Sequence, residues 1–137
     1  MPNPDYDLQG QNFIVLGGGG YIGAHVCKKL AECGGRPIVF DNFEAGHIHA
    51  IKWGPYETID LRDRAQTRAA FQKHGNVNTV IHLASSIEVG VGEKAPEGFY
   101  ENNVIGALNL LLAMRSVGAN QLIFSVSYTH LTLPTKA

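Results

Sequence analysis

Five glycines fall within seven consecutive positions, in the run Gly17-Gly18-Gly19-Gly20-Tyr21-Ile22-Gly23, out of 16 in the 137-residue chain. Stripping Cβ atoms from such a segment lets the backbone turn sharply and lets a ligand approach main-chain N–H groups closely. If a helix begins there, its free N–H groups and dipole favour an anion, and a diphosphate is the anion this spacing suits. Two registers fit: Gly18-x-Gly20-x-x-Gly23, the general dinucleotide fingerprint, and Gly17-x-x-Gly20-x-x-Gly23. Spacing alone does not choose between them. Asp41 lies 18 residues beyond Gly23, where a carboxylate can accept both hydroxyls of an adenosine ribose. It would repel a 2′-phosphate, so the pair favours NAD over NADP. Taken singly, the glycines also suit a tight structural turn, and Asp41 a solvated loop carboxylate or cap.

The elements that must position these groups follow from apolar periodicity. Residues 13–16 read as a strand ending in the glycines. Residues 21–33 read as a helix with Ile22, Val26, Leu30 and Cys33 on one face, stopped by Gly34-Gly35. Strands follow at 37–40 and 57–59. A helix over 62–74 turns Ala65, Ala69 and Phe71 inward and closes at Gly75-Asn76, and 79–83 is a fourth strand. Pro96 opens a helix to Val117 with Val104, Leu108, Leu111 and Leu112 as its seam, and 121–124 is the fifth strand. Strand–helix alternation predicts one α/β domain: a Rossmann-like, doubly wound parallel sheet with right-handed crossovers, truncated after about five strands. The region between Asn42 and Pro55 reads as a surface loop.

Composition narrows the classes. Eleven Lys and Arg against 12 Asp and Glu give a net charge of −1, which offers no basic field to nucleic acid. A hydrophobic content of 45% supports a core and argues against disorder. The longest strongly apolar stretch, 108–114, is too short for a membrane span, and the polar, acidic N-terminus is no signal peptide. Cys27 and Cys33 make no disulfide framework, so a reduced cytoplasmic setting is expected. His47-Ile-His49 lacks a third ligand for a metal, His82 reads as a packed strand histidine, and Lys28-Lys29 as a solvated face.

Several ordered blocks together carry a resemblance: Leu16-Gly-Gly-Gly-Gly-Tyr-Ile-Gly-Ala-His25, Phe40-Asp-Asn-Phe43, Ile59-Asp-Leu-Arg62, Val80-Ile-His-Leu-Ala84, Phe99-Tyr-Glu-Asn-Asn-Val104 and Leu122-Ile-Phe-Ser125. From about Asn12 to Ser125 the chain resembles the extended short-chain dehydrogenase/reductase family, the NAD-dependent epimerases and dehydratases. Within it, Asp41-Asn42 and Asn102-Asn103-Val104 lean towards epimerases that interconvert UDP-glucose and UDP-galactose by transient oxidation at sugar C4. The resemblance implies that Gly17, Gly20 and Gly23 with Tyr21 and Ile22 hold the diphosphate, and that Asp41 and Asn42 contact the adenosine ribose. It implies that Asp60 and Leu61 flank the adenine, that Leu83, Ala84 and Ser85 line the nicotinamide half, and that Asn102 braces the cofactor-side loop. A nucleotide-sugar substrate and a homodimer of the full-length enzyme are implied as partners. Two positions depart from the pattern: Leu16 stands where the family usually has Thr, and Ile87 where some epimerases place a lysine.

The family's catalytic base is a Tyr-x-x-x-Lys pair. Four residues after Tyr6, Tyr21, Tyr56, Tyr100 and Tyr128 come Gly10, His25, Asp60, Val104 and Thr132, so no catalytic residue is assigned. The expectation is an incomplete NAD-binding Rossmann domain over 1–125, inactive alone. Residues 126–137 break the family pattern and read as the translation of a transposase-derived sequencing adapter, so coding sequence is expected to stop near Ser125. A dehydratase or decarboxylase of nucleotide-sugars and a non-catalytic NAD-sensing module are the alternatives.

Overall fold

In β1 (Asn12–Leu16) every residue after Asn12 is buried, because successive side chains point to opposite faces and both faces are covered. A computed structural model describes residues 7–43, 48–83 and 104–125. Ala84, Ser85, Ile87, Asn102, His47 and the tail 126–137 lie outside the described residues. The elements after β1 are α1 (Tyr21–Glu32), β2 (Arg36–Asp41), a 3-10 turn (Ile48–Ala50), β3 (Tyr56–Thr58), α2 (Arg64–Lys73), β4 (Thr79–His82), α3 (Gly106–Ser116) and β5 (Leu122–Phe124). The strands form one sheet in the order β3-β2-β1-β4-β5, parallel at every pairing. This is the expected doubly wound α/β arrangement. The order reverses between β1 and β4, which places a crevice at their C-terminal ends.

One face of the sheet, with Phe13, Val15, Val39 and Ile81, packs on Cys27 of α1. The other, with Ile14, Leu16, Ile38, Phe40 and Val80, packs on Ala70 and Phe71 of α2 and on Leu110, Ala113 and Met114 of α3. Burial pushes the Cys27 thiol up to about 11, so it stays protonated and packs as a small apolar residue.

The helix faces differ from the sequence reading. In α2, Thr67, Ala70 and Phe71 are buried while Ala65 and Ala69 face solvent. The Thr67 hydroxyl donates to the Asp63 carbonyl at 2.8 Å, which makes its burial tolerable. In α1, Val26 and Leu30 pack half-buried on the core and Cys33 is buried as expected, but Ile22 is exposed, and the fully buried line is Gly23 and Cys27. The expected seam lies largely outside: Val104, just before α3, and Leu108 and Leu111 on it are 63%, 55% and 52% exposed. Gly106, Asn109, Leu110, Ala113 and Met114 are buried instead. Small residues at 106 and 113 let the helix approach closely, an advantage that hydrophobicity counting misses.

Candidate dinucleotide-binding site

The chain leaves β1 through Gly17, whose φ of +85° lies in the left-handed region that glycine enters without strain. Its N–H donates to the Phe40 carbonyl at 2.9 Å, and its carbonyl accepts from Gly20 N–H at 3.2 Å. The turn delivers the backbone to Gly20, the N-cap of α1. A Cβ on Gly23 would overlap the Gly17 carbonyl and lie 2.5 Å from Gly18 Cα, and one on Gly18 would press into Val39 at 2.7 Å. At Gly20 a Cβ would meet, among the described residues, only the Gly17 carbonyl, at 3.5 Å. Gly18 and Gly23 are thus required by packing, whereas at Gly20 the described residues leave room where the helix starts.

Among the described residues no side chain caps α1, and its first turn holds no acidic residue. The positive end of its dipole is therefore not neutralised from within that turn. Tyr21, 81% exposed, stands at this end with its ring edge-on to His25 at 4.6 Å, and Ile22 is exposed beside it. A diphosphate fits this end: donors without a side-chain cap, no anion in the first turn, and no Cβ over the approach.

Asp41 ends β2 with its carboxylate fixed from two sides. Oδ2 accepts from Gly19 N–H and Oδ1 from Phe43 N–H, each at 2.9 Å. It is thus a cap for the glycine loop, and each oxygen keeps a lone pair for a further donor. Phe43, which sequence reasoning passed over, takes φ +60°, lays its ring against Gly19 and meets Tyr56 edge-on at 5.6 Å. The signal for it was the Asp-x-Phe spacing of an Asx turn. Asn42 is exposed next to Asp41.

Asp60 and Leu61 follow β3. Arg62 repeats the Asx geometry, donating its N–H to Asp60 Oδ1 at 2.9 Å and its guanidinium to Oδ2 at 2.7 Å. The Arg62 guanidinium holds the Asp60 carboxyl below its ordinary value, so Asp60 is an anion at neutral pH. Asp63 caps α2, its carboxylate accepting from Gln66 N–H at 3.0 Å. Leu61 packs half-buried on the core. Leu83 leaves β4 with its N–H donating to the Leu16 carbonyl at 2.8 Å. Leu16 itself is buried in the core, so the position where the family usually carries Thr holds a packing residue. The described candidates thus gather along one edge, at the C-terminal ends of β1, β2, β3 and β4.

A sequence model described as the NAD dependent epimerase/dehydratase family matches residues 13–132. A UDP-glucose 4-epimerase of Rhizobium leguminosarum bv. trifolii is 46% identical over 127 residues, 93% of this chain and 38% of that protein. The UDP-glucose 4-epimerase of Brucella ovis, solved in complex with NAD, superposes with a TM-score of 0.81 at 39% identity, over 86% of this chain and 36% of that one. That of Bifidobacterium longum, in complex with NAD+ and UDP, gives 0.81 at 30% identity, over 87% and 38%. The chain spans little more than a third of the length of these relatives. A glycine turn feeding an uncapped helix and an aspartate at the next strand end agree with the sequence match across nearly the whole chain, and the chain belongs to the NAD dependent epimerase/dehydratase family.

Proposed function

We propose that this chain binds NAD as the N-terminal part of a UDP-glucose 4-epimerase, an isomerase that interconverts UDP-glucose and UDP-galactose. The observation that carries the reading is the Asp41 carboxylate fixed between Gly19 and Phe43 beside the uncapped start of α1. The N–H groups around Gly20, Tyr21, Ile22 and Gly23 would hold the diphosphate, Asp41 and Asn42 the adenosine ribose, and Asp60 and Leu61 the adenine. Leu83, Ala84, Ser85 and Asn102 would serve the nicotinamide half. When bound, NAD supplies the hydride acceptor and donor for transient oxidation at sugar C4. The chain's own part is to fix the cofactor's orientation and to select against a 2′-phosphate. Proton transfer from the sugar hydroxyl needs the Tyr-x-x-x-Lys pair, which this sequence lacks.

The family part is assigned to residues 1–125, the substrate is a nucleotide-sugar, and the full-length enzyme is a cytoplasmic homodimer. Calorimetric titration of the full-length polypeptide with NAD⁺ tests the cofactor reading. Asp41→Ala is expected to weaken binding by roughly 10- to 100-fold, the value of hydrogen bonds to a charged group. A wild-type chain that gives no heat with NAD⁺ or NADH would refute the reading.

A further inference from the structure

We propose that Asn109 on α3 is a positioning residue that sets the Asp60–Leu61 loop for the adenine base, an inference that rests on the NAD reading above. Asn109 is 6% exposed in the middle of a helix, where an amide is costly unless bonded. Its Nδ2 donates to the Leu61 carbonyl at 2.7 Å, across 48 residues of sequence. One turn earlier, Gly106 receives the Leu61 side chain, whose Cβ lies 3.3 Å from where a Cβ on Gly106 would stand. Helix α3 therefore grips Leu61 at both its carbonyl and its side chain.

Between described residues, the other side-chain bonds of Asp60 are local. Gln66 Oε1 accepts the Asp60 N–H at 2.8 Å, the Thr67 hydroxyl lies 3.4 Å from the Asp60 carbonyl, and Arg62 holds the Asp60 carboxylate. These tie the loop to itself and to the start of α2, whereas Asn109 ties it to α3. Asp60 is one residue before the gripped carbonyl. Releasing that carbonyl moves the carboxylate that would accept the adenine amine, but not the glycine loop some 40 residues earlier. The loss is therefore selective for the base.

Titrating the full-length polypeptide with NAD⁺ and with 1,N6-etheno-NAD⁺, whose bridged amine cannot donate, tests this. Wild type is expected to prefer NAD⁺ by about 10-fold or more, the value of one hydrogen bond to a carboxylate. Asn109→Leu should cut that preference to about 3-fold or less, as expected when the carboxylate is displaced. Gly106→Ala, which pushes on Leu61 while keeping the Asn109 bond, should shift it the same way and decides the matter if the leucine variant does not fold. An unchanged preference, or equal weakening for both nucleotides, overturns the proposal and leaves Asn109 a structural residue. A wild type that binds both nucleotides equally overturns it while leaving the NAD reading intact. A wild type that binds neither refutes the NAD reading itself.

Discussion

Strand β1 lies in the middle of the sheet, and the sheet ends differently on its two sides. On the β2 side the last strand, β3, is tied to α2 by charge: Glu57 Oε1 accepts from Lys73 Nζ at 2.8 Å and from His74 Nε2 at 2.9 Å. On the β4 side the last strand, β5, exposes Leu122, Ile123 and Phe124, and Leu108 and Leu111 of α3, with Val104 just before it, are exposed too. Charge at a sheet edge discourages pairing with another chain, whereas a bare apolar edge invites it. The β3 flank also carries the glycine loop and Asp41. Among the described residues, the sheet thus ends in a charged tie beside the candidate site and in an apolar strand on the other side.

Breaking the β3 flank should have the largest effect. The nearest atoms a Cβ at Gly23 would meet are backbone, which has no rotamer to swing away. Gly23→Ala is expected to cost on the order of 3 kcal/mol, to lower the melting temperature by about 10 °C and to abolish the response to NAD⁺. Melting with wild type would show that the Gly17–Gly23 contact is not tight. The β5 flank should be next. Isolated chains are expected to self-associate, and Leu111→Lys with Ile123→Lys should weaken association by roughly 10-fold or more. Tyr56→Lys on β3 should leave it unchanged. Sedimentation velocity reads both, and a wild-type chain monomeric at high concentration would erase the contrast. A smaller effect is expected from Glu57→Gln, about 1 kcal/mol in urea unfolding for a partly screened charge cluster.

What the sequence made legible follows from what periodicity can register. Phe13 to Leu16 and Pro37 to Phe40 are continuous apolar runs, and such runs mark strands buried on both faces. The glycine run and Asp41 were readable because their spacing is itself the chemistry. The helix faces were harder. Leu108 and Leu111 count as core on any hydrophobicity scale, yet Gly106 and Asn109 face inward because a close approach and one satisfied amide serve the contact better. Phe43 was missed because its role depends on a backbone turn, and Asn109 because its partner lies 48 residues away. Pairings of that kind exist only once the chain has folded.

Acid should take the two flanks apart at different pH values, the smallest effect and the sharpest test of the comparison. His82 ends β4 with its ring 4.7 Å from Phe124, and burial lowers its pKa. The unfolded chain then binds more protons than the folded one, so stability falls as pH drops below roughly 6.5, the unfolded value. On the other flank, the hydrogen bond from Lys73, and then that from His74, holds the Glu57 carboxyl below its ordinary value. Its contribution is complete above roughly pH 4.3 and is lost as pH falls through the lower folded value. The urea midpoint should therefore decline in two steps. His82→Phe should remove the upper step and leave the lower, and Glu57→Gln should do the reverse. A single acid step that neither substitution alters would mean that the two flanks do not carry separate titrating ties.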